Sequence, residues 1–195
     1  MLLNDAIASD VPELVALVNS AYRSPGAVAG WTDERGLLEG PRADRQAILT
    51  ALDHGRMRVL RPSSGGAPVA CVHIALDEDL GWYLSLLAVD PDQQGKGVGG
   101  ALLEEVARQA IEAGILRLRI TVIKQRRDLI AWYEARGFRS TGETVPFPCD
   151  DPSRRASPAQ RSRIDRPGTS PGSLRHSNRD ISEEVRGRVG LAPVG

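Results

Sequence analysis

The sequence predicts one α/β (α+β) domain over residues 1–148 and a disordered Arg/Ser/Pro/Gly-rich tail over 149–195, and three observations carry that reading. Through the first part of the chain, apolar periodicity alternates between the strand repeat and the helix repeat. All the large aromatics (Trp31, Trp82, Trp132, Tyr22, Tyr83, Tyr133, Phe138 and Phe147) precede residue 149. From Cys149 to Gly195 only 11 of 47 residues are apolar, too few to offset the entropy of ordering them. About 150 residues suffice for one well-buried layered core.

The elements follow in order. Leu2–Ile7 reads as a short first strand, and Ser9 or Asp10 can cap a helix with Pro12 in its first turn, ending near Tyr22. Residues 24–31, with Pro25, Gly26 and Gly30, read as a loop. Thr32 or Asp33 can start a short helix, and Asp44 another that runs to Gly55. Arg56–Leu60 and Pro68–Leu76 are strand-like runs separated by the turn chemistry of Pro62-Ser63-Ser64-Gly65-Gly66. Trp82–Val89 is nearly continuously apolar, as expected of a strand buried on both faces. Pro91–Gly100 reads as a glycine-rich loop, Ala101–Ala113 as an amphipathic helix ended by Gly114, and Ile115–Ile123 as a strand. Asp128–Arg136 reads as a helix stopped by Gly137, and Phe138 opens another strand.

Composition narrows the function classes. Lysine plus arginine equals aspartate plus glutamate at 25 each, so overall charge points neither to nucleic acid nor to a membrane surface. The N-terminus lacks the basic and apolar regions of a signal peptide, and no stretch reaches membrane-spanning length, so a soluble, cytoplasmic protein is expected. Cys71 and Cys149 make neither a disulfide framework nor a metal site, and a reducing compartment fits them. No metal is expected, since His54, His73 and His176 show no ligand spacing.

The most informative stretch is Leu84–Gly100, a buried strand followed by Gly95, Gly97, Gly99 and Gly100 at the start of a helix. Glycines there expose successive backbone N–H groups at the positive end of a helix dipole, which is the chemistry of phosphate binding. Lys96 adds one mobile charge. Gly95-x-Gly97-x-x-Gly100 also satisfies a dinucleotide fingerprint by letter, but Asp90–Gln94 intervene after the strand, and no acidic residue ends the next one.

Gln94-Gly95-Lys96-Gly97-Val98-Gly99 resembles the Gln/Arg-x-x-Gly-x-Gly/Ala loop of the GCN5-related N-acetyltransferase (GNAT) superfamily. The later run Trp132-Tyr133 followed by Gly137-Phe138 resembles that family's second motif, and the likeness covers about residues 1–147. It implies a central mixed, mostly antiparallel sheet flanked by helices, with acetyl-CoA as co-substrate. It places backbone contacts to pantetheine at Leu87, Ala88 and Val89, and pyrophosphate contacts at Gln94, Gly95, Lys96, Gly97, Val98, Gly99 and Gly100. It makes a backbone N–H near Leu87 the donor to the acetyl carbonyl and Tyr133 the acid that protonates the departing thiolate. From spacing alone Tyr133, on one face with Leu129 and Ile130, reads equally as a core residue.

The chain departs from the family pattern twice. Arg126 stands where many members carry asparagine, so that cofactor contact does not transfer; Arg126 or Arg127 could meet a CoA phosphate or be a solvated helix-start charge. No apolar run after Pro148 supplies the usual final strands, so the sheet is expected to lack them. Two accounts of the tail stay open: a natural extension, or a reading frame that slipped near Phe147–Asp151.

The expected function is transfer of an acetyl group from acetyl-CoA to the amine of a small molecule or peptide, directly in a ternary complex. The alternative is a non-catalytic acyl-CoA-binding module or a disabled copy. Asp33, Glu34 and Glu78 are base candidates by location, each also readable as a surface charge; Tyr83, Ser85, Tyr22 and Trp31 are acceptor-side candidates, Tyr22 and Trp31 reading equally as core residues. Cys71 reads as a small buried hydrophobe. Homodimers are common in such proteins, so a homodimer is a compatible assembly.

Overall fold

The structure is a computed structural model and describes residues 2–23, 41–62, 66–77, 81–146 and 160–167. Seven strands form one sheet: β1 (Leu2–Asp5), β2 (Arg56–Arg61), β3 (Ala70–Asp77), β4 (Gly81–Val89), β5 (Arg117–Ile123), β6 (Arg139–Pro146) and β7 (Gln160–Pro167). Their spatial order is β1-β2-β3-β4-β5-β7-β6. Only the β4–β5 pair is parallel; every other neighbouring pair is antiparallel. The expected mixed, mostly antiparallel sheet flanked by helices is therefore what forms.

Among the described residues four α-helices cover it: α1 (Val11–Arg23), α2 (Arg45–Asp53), α3 (Val98–Glu112) and α4 (Arg127–Glu134). One face buries Leu102, Leu103, Val106 and Ala110 of α3 against Val72, Ile74, Trp82, Leu84 and Ile120. The other buries Leu14, Leu17, Val18 and Ala21 of α1, with Ile48 of α2, against Met57, Val59, Cys71 and Ala88. The split follows from the period-two alternation of the strands, which sends Cys71 and Val72 to opposite faces. No described helix is long and apolar enough to cross a membrane.

Local chemistry sets several ends. β1 stops at Asp5, short of Ile7, because the Asp10 carboxylate accepts the Ile7 N–H at 3.0 Å and draws the chain into a 3-10 turn. Asp44 caps α2 as expected, accepting the Ala47 N–H at 2.8 Å. Helix α3 begins at Val98, not Ala101: Gly97, at φ +81°, takes the left-handed conformation that lets the helix start inside the glycine run.

The main correction concerns the end of the sheet. The expectation that no strand follows Pro148 does not hold, since β7 lies between β5 and β6 and pairs with both. Counting apolar residues missed it because the strand contributes only Ile164 to the core, at 0% exposure and opposite Ile120. Ion pairs supply the rest. Asp165 accepts from Arg119 Nε at 3.0 Å, Arg163 meets Glu143 at 2.5 Å, and Arg166 meets Glu104 of α3 at 3.1 Å. Arg119, 7% exposed, also reaches Asp77 at 2.6 Å and so ties β3, β5 and β7 together. Residues 149–159 and 168–195 lie outside the described residues, as do Trp31, the expected helix start at Thr32 or Asp33, Glu34, and the turn at 63–65.

Candidate active site

Strands β4 and β5 pair only from Gly81–Arg117 to Leu84–Ile120; beyond that register they part. On its other side β4 carries a bulge, where the register with β3 shifts between His73–Ser85 and Cys71–Ala88. Leu86 sits in that bulge at φ +49°, the only described non-glycine residue with positive φ. The strand is thus bent away from β5 where its main chain leaves the ladder. Tyr22 reaches across from α1 and donates its hydroxyl to the Leu87 carbonyl at 2.6 Å.

Two cavities meet at this opening. The larger, about 270 Å³, is lined by Leu87 and Val89, the turn from Gln93 to Gly100, and Leu129, Trp132, Tyr133 and Arg136. The smaller, about 80 Å³, is lined by Tyr83–Leu87, Ile120–Ile123, Arg42, Arg126 and Arg161. Tyr22, Leu87, Leu129 and Tyr133 border both.

The larger cavity is walled by the start of α3. The first intrahelical bond runs from the Ala101 N–H to the Gly97 carbonyl at 3.0 Å, so the N–H groups of Val98, Gly99 and Gly100 precede any intrahelical acceptor. Gln94 folds back to donate its amide to the Val89 carbonyl at 3.0 Å, closing the turn. A Cβ at Gly97 would meet nothing within 4 Å, whereas one at Gly100 would stand 3.2 Å from the Arg136 Nε. The glycines therefore serve two purposes: backbone conformation at Gly97 and close approach at Gly100. Arg136 is fixed there, its guanidinium 3.8 Å from the Trp132 ring centroid and donating to the Trp132 carbonyl at 2.8 Å.

Most of the residues singled out from the sequence come together. Leu87, Val89, Gln94, Gly95, Gly97, Val98, Gly99 and Gly100 all line the larger cavity. Ala88 does not; alternation turns its side chain into the α1/α2 core. Lys96 is exposed and outside the lining. Tyr133 is 3% exposed between the cavities, and burial pushes its phenol well above the ordinary value, so it holds its proton at neutral pH. Tyr83 and Ser85 line the smaller cavity, while Asp33, Glu34 and Glu78 lie outside the described residues. Cys71 is fully buried and its thiol is pushed up to about 12 by burial. His73, 8% exposed, holds Ser85 through Nδ1 at 2.9 Å, and burial lowers its pKa.

Sequence reasoning missed Arg136, Arg42 and Arg161. The first had a readable signal, since Trp132 and Arg136 are four residues apart along a helical turn. Arg126, considered above for a CoA phosphate, lines the smaller cavity instead, where it pairs with Asp128 at 3.0 Å.

The model of the acetyltransferase (GNAT) family matches residues 17–138, a span that holds the splayed strand, the glycine turn and Tyr133. The chain belongs to the GNAT acetyltransferase family. No curated protein matches it. Solved GNAT structures share the fold: the ribosomal-protein-S18-alanine N-acetyltransferase of Escherichia coli is similar at TM-score 0.66 and 18% identity, covering 90% of this chain and 98% of that one. A ribosomal-protein-alanine N-acetyltransferase from Brucella melitensis is similar at TM-score 0.62 and 20% identity, covering 86% and 99%. A phosphinothricin acetyltransferase from Sinorhizobium meliloti, solved in complex with AcCoA, is similar at TM-score 0.62 and 16% identity, covering 91% and 94%. This chain is thus a GNAT-type acyl-CoA-dependent N-acetyltransferase by family.

Proposed function

We propose that this GNAT protein moves an acetyl group from acetyl-CoA to the amine of a small molecule or peptide by direct transfer, with the two substrates in the two cavities. The observation that carries the reading is that both cavities share Leu87 and Tyr133, so a thioester on one side and an amine on the other meet where those residues stand. Proximity of that kind supplies much of the rate in acyl transfer.

The chain's groups divide the work. The N–H groups of Val98, Gly99 and Gly100 hold the pyrophosphate at the α3 dipole, and Arg136 adds a fixed cation beside them. Since the carbonyls of Leu87 and Val89 already accept from Tyr22 and Gln94, what β4 presents to pantetheine and to the acetyl oxygen is chiefly its N–H groups. The N–H near Leu87 stabilises the oxyanion as the amine attacks. As the C–N bond forms and the C–S bond breaks, Tyr133 donates its proton to the departing thiolate, and the proton that the attacking nitrogen sheds passes through solvent at the opening and restores the phenol.

The test is thiol release by the full chain supplied with acetyl-CoA and a panel of amines. Amine-dependent release is the expected result; a folded chain that binds acetyl-CoA yet releases no thiol whichever amine is supplied would mark a binding module.

A further inference from the structure

Behind the smaller cavity stands a pair of polar side chains that the transfer chemistry above leaves unused, His73 of β3 and Ser85 of β4. The two residues face each other across the ladder, with the His73 Nδ1 2.9 Å from the Ser85 Oγ. Ser85 borders the smaller cavity, whereas His73, 8% exposed, borders neither cavity. The serine hydroxyl is therefore what connects the buried ring to the acceptor side. The bulge at Leu86 begins one residue past this pair, so Ser85 stands two positions from Leu87 at the opening.

Space for the ring is kept by Gly55, where a Cβ would stand 2.5 Å from the His73 Nε2 and 2.4 Å from the Ile74 carbonyl oxygen. Around the ring, α2 ends at His54 and α1 packs the apolar Leu14, Val18 and Ala21 on that face. β2 sets Met57 opposite His73, between Arg56 and Arg58, both of which pair with Asp5. Burial lowers the His73 pKa; the Ala51 carbonyl acts the other way, and His54 lowers it a little further. The ring is neutral at pH 7 as a result.

An acceptor amine arrives mainly as an ammonium ion at neutral pH and must lose a proton before its nitrogen can attack. None of the described residues lining the smaller cavity is acidic or a histidine. Its arginines are donors without an acceptor site, and Tyr133 already holds its proton. A neutral imidazole one hydroxyl behind the wall fills that gap.

We propose that Ser85 and His73 form the relay that deprotonates the acceptor ammonium. Ser85 touches the amine: its Oγ takes the N–H proton as its own proton passes to the His73 Nδ1, leaving a neutral amine and an imidazolium. Once the product has left, the imidazolium returns its proton through Ser85 to solvent, so each turnover releases one proton. The proton that the nitrogen sheds after attack follows the separate route to Tyr133. This rests on the transferase reading above.

The test is the pH profile of kcat/KM, per total amine, for thiol release by the full chain with phenethylamine, spermidine and tripeptides with free N-termini. With the relay, the wild type accepts the ammonium form. Its profile should be flat from about pH 6.5 to the pKa of the amine, about 8 for a peptide N-terminus and about 10 for an alkylamine. Ser85→Ala, and His73→Asn, which keeps a partner for Ser85 but no proton acceptor, should use only the amine already neutral in solution. Their profiles should rise about tenfold per pH unit through neutrality. At pH 7 they should lie below the wild type by about tenfold for a peptide and about 100-fold or more for an alkylamine. Ser85→Thr, which keeps the hydroxyl, should restore the flat region, and acetyl-CoA affinity should be unchanged throughout. If His73→Asn does not fold, Ser85→Ala decides. A wild-type profile that itself rises tenfold per unit through pH 7, or a flat region retained in Ser85→Ala, overturns the relay and leaves the transferase reading standing. No turnover of any amine by a folded wild type overturns both.

Discussion

On one side of Leu87 and Tyr133 most of the lining residues come from a single stretch, Val89 to Gly100, joined by Leu129, Trp132 and Arg136. On the other it is side chains from α1, the segment before α2, β4, β5, α4 and β7. The first side is a local device: a buried strand, a turn closed by Gln94, and a helix whose free N–H groups follow from Gly97. The second is assembled only by the tertiary fold, with Arg42 and Arg161 separated by most of the chain. A cofactor common to a whole family suits the first construction. An acceptor that differs between relatives suits the second, because single side chains can change without disturbing the turn.

The largest expected effect comes from removing what only the second side depends on by sequence. A chain ending at Pro148 loses β7, so β5 and β6 lose their shared partner and Ile164 leaves the core. It should fail to give a cooperative unfolding transition, whereas a chain ending at Gly168 should keep one; equal transitions for the two would show that β7 is dispensable. Next comes the residue the cavities share. Tyr133→Phe should lower kcat by about 100-fold, within the usual range for loss of a general acid, with acetyl-CoA affinity nearly unchanged. An unaltered kcat removes Tyr133 from the chemistry.

Arg119 sharpens the account of how β7 is held. Arg119→Met strands Asp77 and leaves Asp165 only the longer contact with Arg117 at 3.5 Å, and should cost about 2 kcal/mol in urea unfolding, less than a fully buried pair because both carboxylates keep some exposure. A loss within experimental scatter would mean that Ile164 and the strand ladder hold β7 without it. The smallest effect concerns His73. Burial lowers its pKa below 6.5, so the folded state binds fewer protons there than the unfolded one. Stability from this group is complete above about pH 6.5 and falls as pH drops toward the folded value, with a slope of at most about 1.4 kcal/mol per pH unit. His73→Asn should flatten that slope between pH 5 and 7, by urea midpoints; matching slopes would assign the dependence to other groups.

How far the sequence could be read tracks the same division. Strands β2 to β5, helices α1, α3 and α4, and nearly all of the turn were legible, because each is announced by periodicity or by glycines within a few residues. The start of α3 was misplaced by three residues since Gly99 and Gly100 read as loop formers, although Gly97 already caps the helix. β7 was illegible to an apolar count: its partners Arg119, Glu143 and Glu104 are distant in sequence, and nothing local to Arg163, Asp165 or Arg166 announces them. The arginines of the smaller cavity were hidden for the same reason: Arg42, Arg126 and Arg161 come from parts of the chain that only the fold brings together.

The most direct measurement is calorimetric titration of the full chain with acetyl-CoA, beside Gly97→Asp and Gly97→Ala. Both variants bear the strain of a positive φ, about 1 kcal/mol, and nothing lies within 4 Å of the added Cβ, so both should fold. Saturable binding by the wild type, weakened modestly in Gly97→Ala and lost in Gly97→Asp, is the result expected if the α3 N-terminus holds the pyrophosphate. Equal binding by all three, or none by a folded wild type, would contradict that placement.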